Sequence, residues 1–401
     1  MEQGLKNFLI LYLTRGVGSK FLKDFYRTVG GFEGDLKTLL DLYFEKKNIP
    51  DRKRVKLTRE VLEEKEERLR TIERLITNGV EIVPFYHPRF PVSVSLTGVD
   101  IAVLFCKGNC DNLYGFSIVG TRGASLEGKL KAREFASKLA MEGITVVSGG
   151  ANGVDKAAHR GALKVGGKTG VILGEGIFSF LKREHRFAEE VLKEGGYILS
   201  QFPPTLLPAK WTFPQRNALI AALGTLGTLV VEAPIKSGAL ITARYAHKMG
   251  RRVYAYVGCT NNPTFAGNVK LLEEGLATLV TTPERLLQNL STSSKGKENT
   301  AKVSSIDTNR PGRREEKETQ SVVEDTHLKR GTEEKETSSV VEDTPVKTAM
   351  EKILEVLTRG AKTFDELLAL TSLPEEELNQ LLLELELEEK VIQEGGFYRM
   401  I

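Results

Sequence analysis

From Phe116 to Leu290 the chain repeats one pattern: a short, almost wholly apolar run, often closed by glycine, then in most cases a stretch with helical spacing. The runs are "FSIVGT", "ITVVSGG", "TGVILGEG", "YILSQF", "TLVVEA", "RRVYAYVG" and "ATLVT". A strand that is apolar at consecutive positions has two faces to bury, because neighbouring side chains point to opposite sides of a sheet. Helical crossovers cover both sides, so the pattern predicts a parallel sheet between helices, an α/β fold with an extended Rossmann-like core. In such sheets ligands bind beyond the carboxyl ends of the strands. This chain places Gly120, Gly149, Gly150, Gly174, Gly176 and Gly258 there.

The 401 residues exceed one ordinary core and predict two or three folding units. Residues 1–80 read as a small helical domain (SAM or helix-hairpin-helix-like), with "GVG" at Gly16–Gly18 between helices and a long charged helix around Leu57–Asn78. Residues 81–290 hold the sheet. Residues 291–347 lack Phe, Tyr and Trp and are rich in Ser, Thr, Glu and Lys, which predicts a disordered linker. Within it "EEKETQSVVEDT" at Glu315–Thr326 recurs as "EEKETSSVVEDT" at Glu333–Thr344. Two copies lengthen a tether and fall short of a solenoid. Residues 348–401 read as three helices and a two-stranded hairpin, the order of a winged helix-turn-helix.

The net charge of +4 identifies no partner, but its distribution is uneven. Ala349–Ile401 carries 12 acidic and 5 basic residues, −7, which leaves +11 on the rest. Non-specific affinity for DNA comes from cations, so the C-terminal unit is expected to bind protein or the chain's own basic core. A sequence-specific transcription factor is disfavoured on the same ground. Cys106, Cys110 and Cys259 have no metal-ligand spacing around them and are expected as unpaired thiols in a reducing cytoplasm. The apolar run Phe8–Leu13 is too short to span a bilayer, so no membrane anchor is expected.

Three strand ends are candidates for holding anions. "VGTRGAS" at Val119–Ser125 ends a strand and opens a helix, which aims Gly120, Thr121 and the cation of Arg122 over the sheet edge. Arg122 reads equally as the partner of a neighbouring carboxylate, and without a full G-x-G-x-x-G a dinucleotide site is weakly supported. "SGGANGVDKAAH" puts Ser148, Gly149 and Gly150 at a second end, where a phosphate could approach the backbone. Asp155 and His159 follow on one helix face, with no nucleophile beside them, and read as local packing. "EAPIKSGALITA" offers Ser237 and Gly238 at a third end, Ser237 reading equally as an N-cap. "KWTFPQRN" at Lys210–Asn217 follows the fourth strand through a proline-rich segment. Lys210 and Arg216 offer cations for phosphates, Trp211 and Phe213 offer faces for bases, and Asn217 offers hydrogen bonds. The aromatics read equally as staples holding the loop to the core.

In order, "GTRGAS", "SGGANGVDKAAHRGAL", "FPQRNALIAAL", "VVEAPIKSGALITA" and "GRRVYAYVG" closely resemble the motif series of the DNA-processing protein A family, also called DprA or Smf. The resemblance covers most of Met1–Leu290 and, less specifically, the C-terminal unit. It implies a Rossmann-like domain that binds single-stranded DNA, protects it and loads the RecA recombinase during natural transformation. It further implies competence-linked DNA recombination, a homodimer, no cofactor and no established catalytic activity. Motif matching puts the family's DNA-binding arginine at Arg122, its lysine at Lys210 and its phenylalanine at Phe213. The family's frequent arginine after R-N is Ala218 here, its glycine-leucine-serine is "ALG", and the proline before Gly258 is Val257. The competing class is a Rossmann-like enzyme of the nucleotide-phosphoribohydrolase kind, for which Glu232 is the candidate carboxylate, although the signature glycines of that class are absent.

Overall fold

The computed structural model describes residues 2–258, 262–291, 349–374, 377–378, 381–382, 385, 390–394 and 397–400. Cys259 and all but the first residue of the expected linker, with its duplicated segment, lie outside the described residues. The seven apolar runs form strands β3 (Phe116–Val119), β4 (Val146–Ser148), β5 (Thr169–Leu173), β6 (Tyr197–Ser200), β7 (Thr228–Val230), β8 (Val253–Ala255) and β9 (Thr278–Leu279). Two strands that the sequence pattern left unassigned, β1 (Glu81–Pro84) and β2 (Val103–Gly108), extend the sheet. The order is β1-β2-β6-β5-β4-β3-β7-β8-β9; β3 to β9 are parallel, while β2 runs antiparallel to both β1 and β6.

The chain lays β3 to β6 outward in one direction, then returns to place β7 on the other side of β3. The carboxyl ends of β3 and β7 therefore sit side by side where the winding reverses, and the crossovers on either side leave a crevice there.

Both faces of the sheet are buried. On β3, Phe116 and Ile118 enter an apolar layer with Phe135, Ala158 and Leu229, while Val119 enters another with Leu219, Ile220 and Leu240. The helix Thr212–Leu223 runs through the second layer, and its residues Ala218 to Leu223 are at most 1% exposed. That explains why its second half carries no polar residue: a helical segment apolar all round is one covered all round.

The N-terminal helices do not keep their core to themselves. Phe8, Phe25, Phe44 and Leu75 share one apolar cluster with Val103, Phe105, Val171, Leu173 and Ile198 of the sheet, and the Tyr12 hydroxyl donates to the Gln201 carbonyl at 2.8 Å. The long helix expected around Leu57–Asn78 is broken into Asp51–Glu63 and Lys65–Thr77 at Glu64. The break leaves the carbonyls of Glu60 and Val61 at a helix end, and the buried Arg68 guanidinium donates to both at 2.9 Å.

Cys106 and Cys110 correct the expectation of unpaired thiols, because they form a disulfide with a Cα–Cα distance of 6.0 Å. The turn after β2 folds back through Gly108, whose φ of 105° suits glycine alone, and brings Cys110 over Cys106. Among the described residues no helix is long and apolar enough to cross a membrane.

The C-terminal unit has its own apolar cluster around Ile353, Leu367, Leu378, Leu385 and Tyr398. Its first two helices are Ala349–Thr358 and Phe364–Thr371. The expected two-stranded hairpin, β11 (Val391–Glu394) and β12 (Phe397–Met400), gains a third strand, β10 (Lys362–Thr363), paired to β12. That two-residue strand ends on Thr363, which caps the next helix and closes a reciprocal capping box with Glu366.

His159 is fully buried. Its Nδ1 lies 2.6 Å from the Thr169 hydroxyl, which itself donates to the Val146 carbonyl, so Nδ1 carries the proton and donates. Nε2 is left bare beside Phe187. Burial, with Arg216 and Lys156 nearby, drives its pKa down to about 3. The unfolded chain takes up this proton below about pH 6.5 while the folded chain does not, so acidification favours unfolding by about 1.4 kcal/mol per pH unit within that window. Urea unfolding at successive pH values should show His159→Gln losing stability less steeply than the wild type below about pH 6.5; parallel profiles would contradict this.

Candidate nucleic-acid interface

A cleft of about 300 Å³ opens where β3 and β7 end side by side. Gly120, Thr121 and Arg122 line it from β3, Lys210, Phe213, Arg216 and Asn217 from the loop and helix after β6, and Lys236, Ser237 and Gly238 from β7.

Phe213 forms its aromatic wall. The ring lies against Gly174 so closely that a methyl group there would come within 2.8 Å of it. On the ring sits the Arg122 guanidinium, 4.5 Å from the centroid, with that of Arg216 at 5.8 Å. These contacts hold a flat cation on a flat ring, and both are surfaces on which a nucleobase stacks. Arg122 and Lys210 are exposed and, among the described residues, neither makes an ion pair with a carboxylate. Lys236, which the strand-end motifs alone did not single out, is a third cleft cation with its side chain 83% exposed. The signal was present: a lysine directly before an N-cap at a strand end. It lies 3.7 Å from Glu377 of the acidic C-terminal unit, a surface contact of the sort worth at most about 1 kcal/mol.

Arg216 departs from the expectation of a phosphate contact. It is 4% exposed, and Nη1 donates to the carbonyls of Gly149 and, at 2.8 Å, Ile172. It therefore ties the ends of β4 and β5 together from below the cleft. Asn217 accepts from Arg216 Nε at 3.2 Å and donates to the Gly238 carbonyl at 3.1 Å, carrying the tie across to the third strand end.

The second strand end is not an open anion site either. The backbone N–H groups of Gly149 and Ala151 are turned to the Asp155 carboxyl, so the protein's own acid fills the place expected for a phosphate. Burial raises the Asp155 pKa above the usual carboxylate range, against the opposing pull of Arg216. Ser148 is fully buried and its hydroxyl donates to the Ile118 carbonyl at 2.6 Å, bracing β4 on β3. Gly149 is excluded from contact too: a side chain there would strike both Arg216 and Asp155. Gly150 makes the turn with a φ of 70°.

At the first end, the Thr121 N–H donates to the Glu232 carbonyl at 2.7 Å and is spent. Ser237 is an N-cap, its hydroxyl accepting from Ala239 N–H at 3.3 Å, and it also lines the cleft with Gly238. Trp211 leaves the cleft and meets Phe202 edge-on at 5.7 Å. Pro214 stands in the first turn of its helix, where an N–H would lack an intrahelical partner. Ala218 lies fully buried in the apolar layer, so its place here is in the core and not in the cleft.

The carboxylate of the competing enzyme class is committed elsewhere. Glu232 is fully buried and accepts from the Ser125 hydroxyl at 2.8 Å and the Ser125 N–H at 3.0 Å, at the start of the helix Leu126–Met141. It does not line the cleft.

The family model for the DNA recombination-mediator protein A matches residues 81–291, and that for the DprA winged helix domain matches residues 343–396. Protein Smf of Escherichia coli is 40% identical over 209 residues, 51% of this chain and 54% of that protein. The DNA processing protein DprA of Bacillus subtilis is 32% identical over 200 residues, 49% of this chain and 67% of that protein. The chain thus spans about half the length of the Escherichia coli relative. The X-ray structure of DNA processing protein A from Streptococcus pneumoniae superposes with a TM-score of 0.59 at 26% identity, covering 72% of this chain and 98% of that one.

The two arginines should separate on substitution. Arg216→Ala removes the charge facing a buried acid and frees two buried carbonyls, and should cost about 3 kcal/mol or more in urea unfolding. Arg122→Ala should stay within about 0.5 kcal/mol of the wild type. Equal losses in the two variants would contradict these assignments.

Proposed function

The chain belongs to the DNA recombination-mediator protein A family, and from that premise we propose that it binds single-stranded DNA in the cleft between β3 and β7. The observation that carries this reading is the Arg122–Phe213 stack in a cleft that two exposed lysines, Lys210 and Lys236, also line. An aromatic face beside mobile cations suits a flexible strand: bases stack without regard to sequence and phosphates find charge on either side. The three cations carry the phosphate grip, since most of the strand-end amides are already satisfied by the protein itself. Protection of incoming DNA, its transfer to the RecA recombinase in transformation and recombination, a homodimeric assembly and a cytoplasmic setting complete the proposal and rest on the family resemblance. The protein acts here as a binder, because the carboxylate an enzymatic reading would use is held at a helix start.

Fluorescence anisotropy of a labelled single-stranded oligonucleotide against the full chain, at low and moderate salt, tests this. Arg122→Ala and Lys210→Ala should each weaken binding and reduce the salt slope by about 0.7 for each phosphate the variant no longer neutralises. Phe213→Ala should cost about 5- to 150-fold in affinity, the range for one stacked base. Wild-type affinity in all three variants, or displacement by a mononucleotide alone, would contradict the proposal.

A further inference from the structure

Of the three cleft cations Arg122, Lys210 and Lys236, the described residues give an acidic partner to Lys236 alone, and that partner comes from the far end of the chain: Lys236 Nζ lies 3.7 Å from Glu377 Oε1. Glu377 does not sit on a loose tail. The Leu378 N–H donates to the Pro374 carbonyl at 2.9 Å, closing a helical turn around Glu377, and Leu378 is buried in the C-terminal unit's own apolar cluster. The unit meets the rest of the chain at a second point. On the helix Ser19–Val29, Lys20 Nζ donates to the Gln393 carbonyl of β11 at 3.1 Å. One contact comes from the unit's helical part and one from its hairpin, so the unit as a body, and not a single side chain, rests beside the cleft.

The charges suit this placement. The unit carries −7, and Glu377 ends a run of three glutamates in the sequence. Both contacts are polar and exposed, and Ile235, next to Lys236, remains 56% exposed, so the docking does not cover this apolar neighbour. Exposed ion pairs are weak and screened by salt. Covalent connection keeps the unit at high effective concentration, so weak contacts suffice to seat it and a phosphate offered to Lys236 suffices to compete with it.

We propose that the acidic C-terminal unit is an internal competitor of the nucleic acid: docked through Glu377 on Lys236 and through Gln393 on Lys20, it occupies one of the cleft's three cations until a strand displaces it. The inference rests on the single-strand reading of the cleft and adds its regulation. Linkage makes the effect reciprocal, because the factor by which docking weakens the strand is the factor by which the strand releases the unit. A strand that engages Arg122 and Lys210 together with Lys236 outcompetes one carboxylate, whereas a single free phosphate does not.

Zero-length carbodiimide coupling, which joins a carboxylate to an amine only where the two touch, tests the docking on the full chain. Peptide mass spectrometry of the free protein should find Lys236 joined to Glu377 in product of monomer size, and a saturating single-stranded oligonucleotide should suppress that link. Anisotropy at low and moderate salt tests the competition. Lys20 does not line the cleft, so Lys20→Ala removes a cation and should nevertheless tighten single-strand binding by about threefold at low salt, as should Glu377→Gln, with both gains shrinking at moderate salt. Asp365→Asn, which takes the same charge from an exposed position of the same unit, should stay within about twofold of the wild type. The absence of a Lys236–Glu377 link, a link confined to dimer-sized product, or a link that persists under saturating strand would overturn the proposal. So would weaker binding by Lys20→Ala, or a gain in Asp365→Asn equal to that in Glu377→Gln. A wild type that forms the link but binds no single strand would overturn the reading of the cleft, and the competition with it, while leaving the docked contact in place.

Discussion

The buried guanidinium of Arg216 is the constraint around which the edge of the sheet is organised. It bonds the carbonyls at the ends of β4 and β5, passes a hydrogen bond to Asn217, and through Asn217 reaches the start of the helix after β7. Asp155 lies opposite it and takes the amides of the second strand end. Burying a cation with no counterpart would be prohibitive, and here the nearby acid, two carbonyls and an amide oxygen replace its water. The elements it joins are those that carry Phe213, Lys210 and Ser237.

This arrangement changes how the cleft holds charge. A Rossmann-like sheet commonly presents bare strand-end amides to a phosphate, but here Thr121, Gly149, Ala151 and Ser125 spend theirs on partners inside the protein. What remains for a ligand is side-chain chemistry on flexible stems around one fixed aromatic ring. A fixed amide cradle selects one phosphate geometry, whereas lysines and an arginine accommodate many. The difference suits a polymer presented in any register better than a single small nucleotide.

Much of this was legible in the sequence. The seven parallel strands followed from runs apolar at consecutive positions, and the positions of Arg122, Lys210 and Phe213 followed from the rule that ligands gather at strand ends. Burial was not legible. Arg216 and Lys210 are both cations in one octapeptide, but only the helical phase set by Thr212 turns the first inward and leaves the second outside. The same holds for Ser148 and Gly149, whose glycine-rich motif looks like a phosphate loop until Asp155 is seen to fill it. The β1–β2 pair lies outside the pattern of parallel strands and crossovers, because β2 runs antiparallel to both β1 and β6. The Cys106–Cys110 bridge escaped notice because spacing alone does not reveal that Gly108 reverses the chain between them. The contact of Arg74 with the Phe178 ring joins residues 104 positions apart, and no local pattern reports that.

The central claim is that a single strand lies over Phe213 in the crevice between β3 and β7. Photocrosslinking a halogenated single-stranded oligonucleotide to the full chain, followed by mass spectrometry of the peptides, tests it most directly. The account predicts that the crosslinked peptide contains Phe213. Crosslinks confined to the winged-helix unit, with none between Gly120 and Gly238, would contradict it.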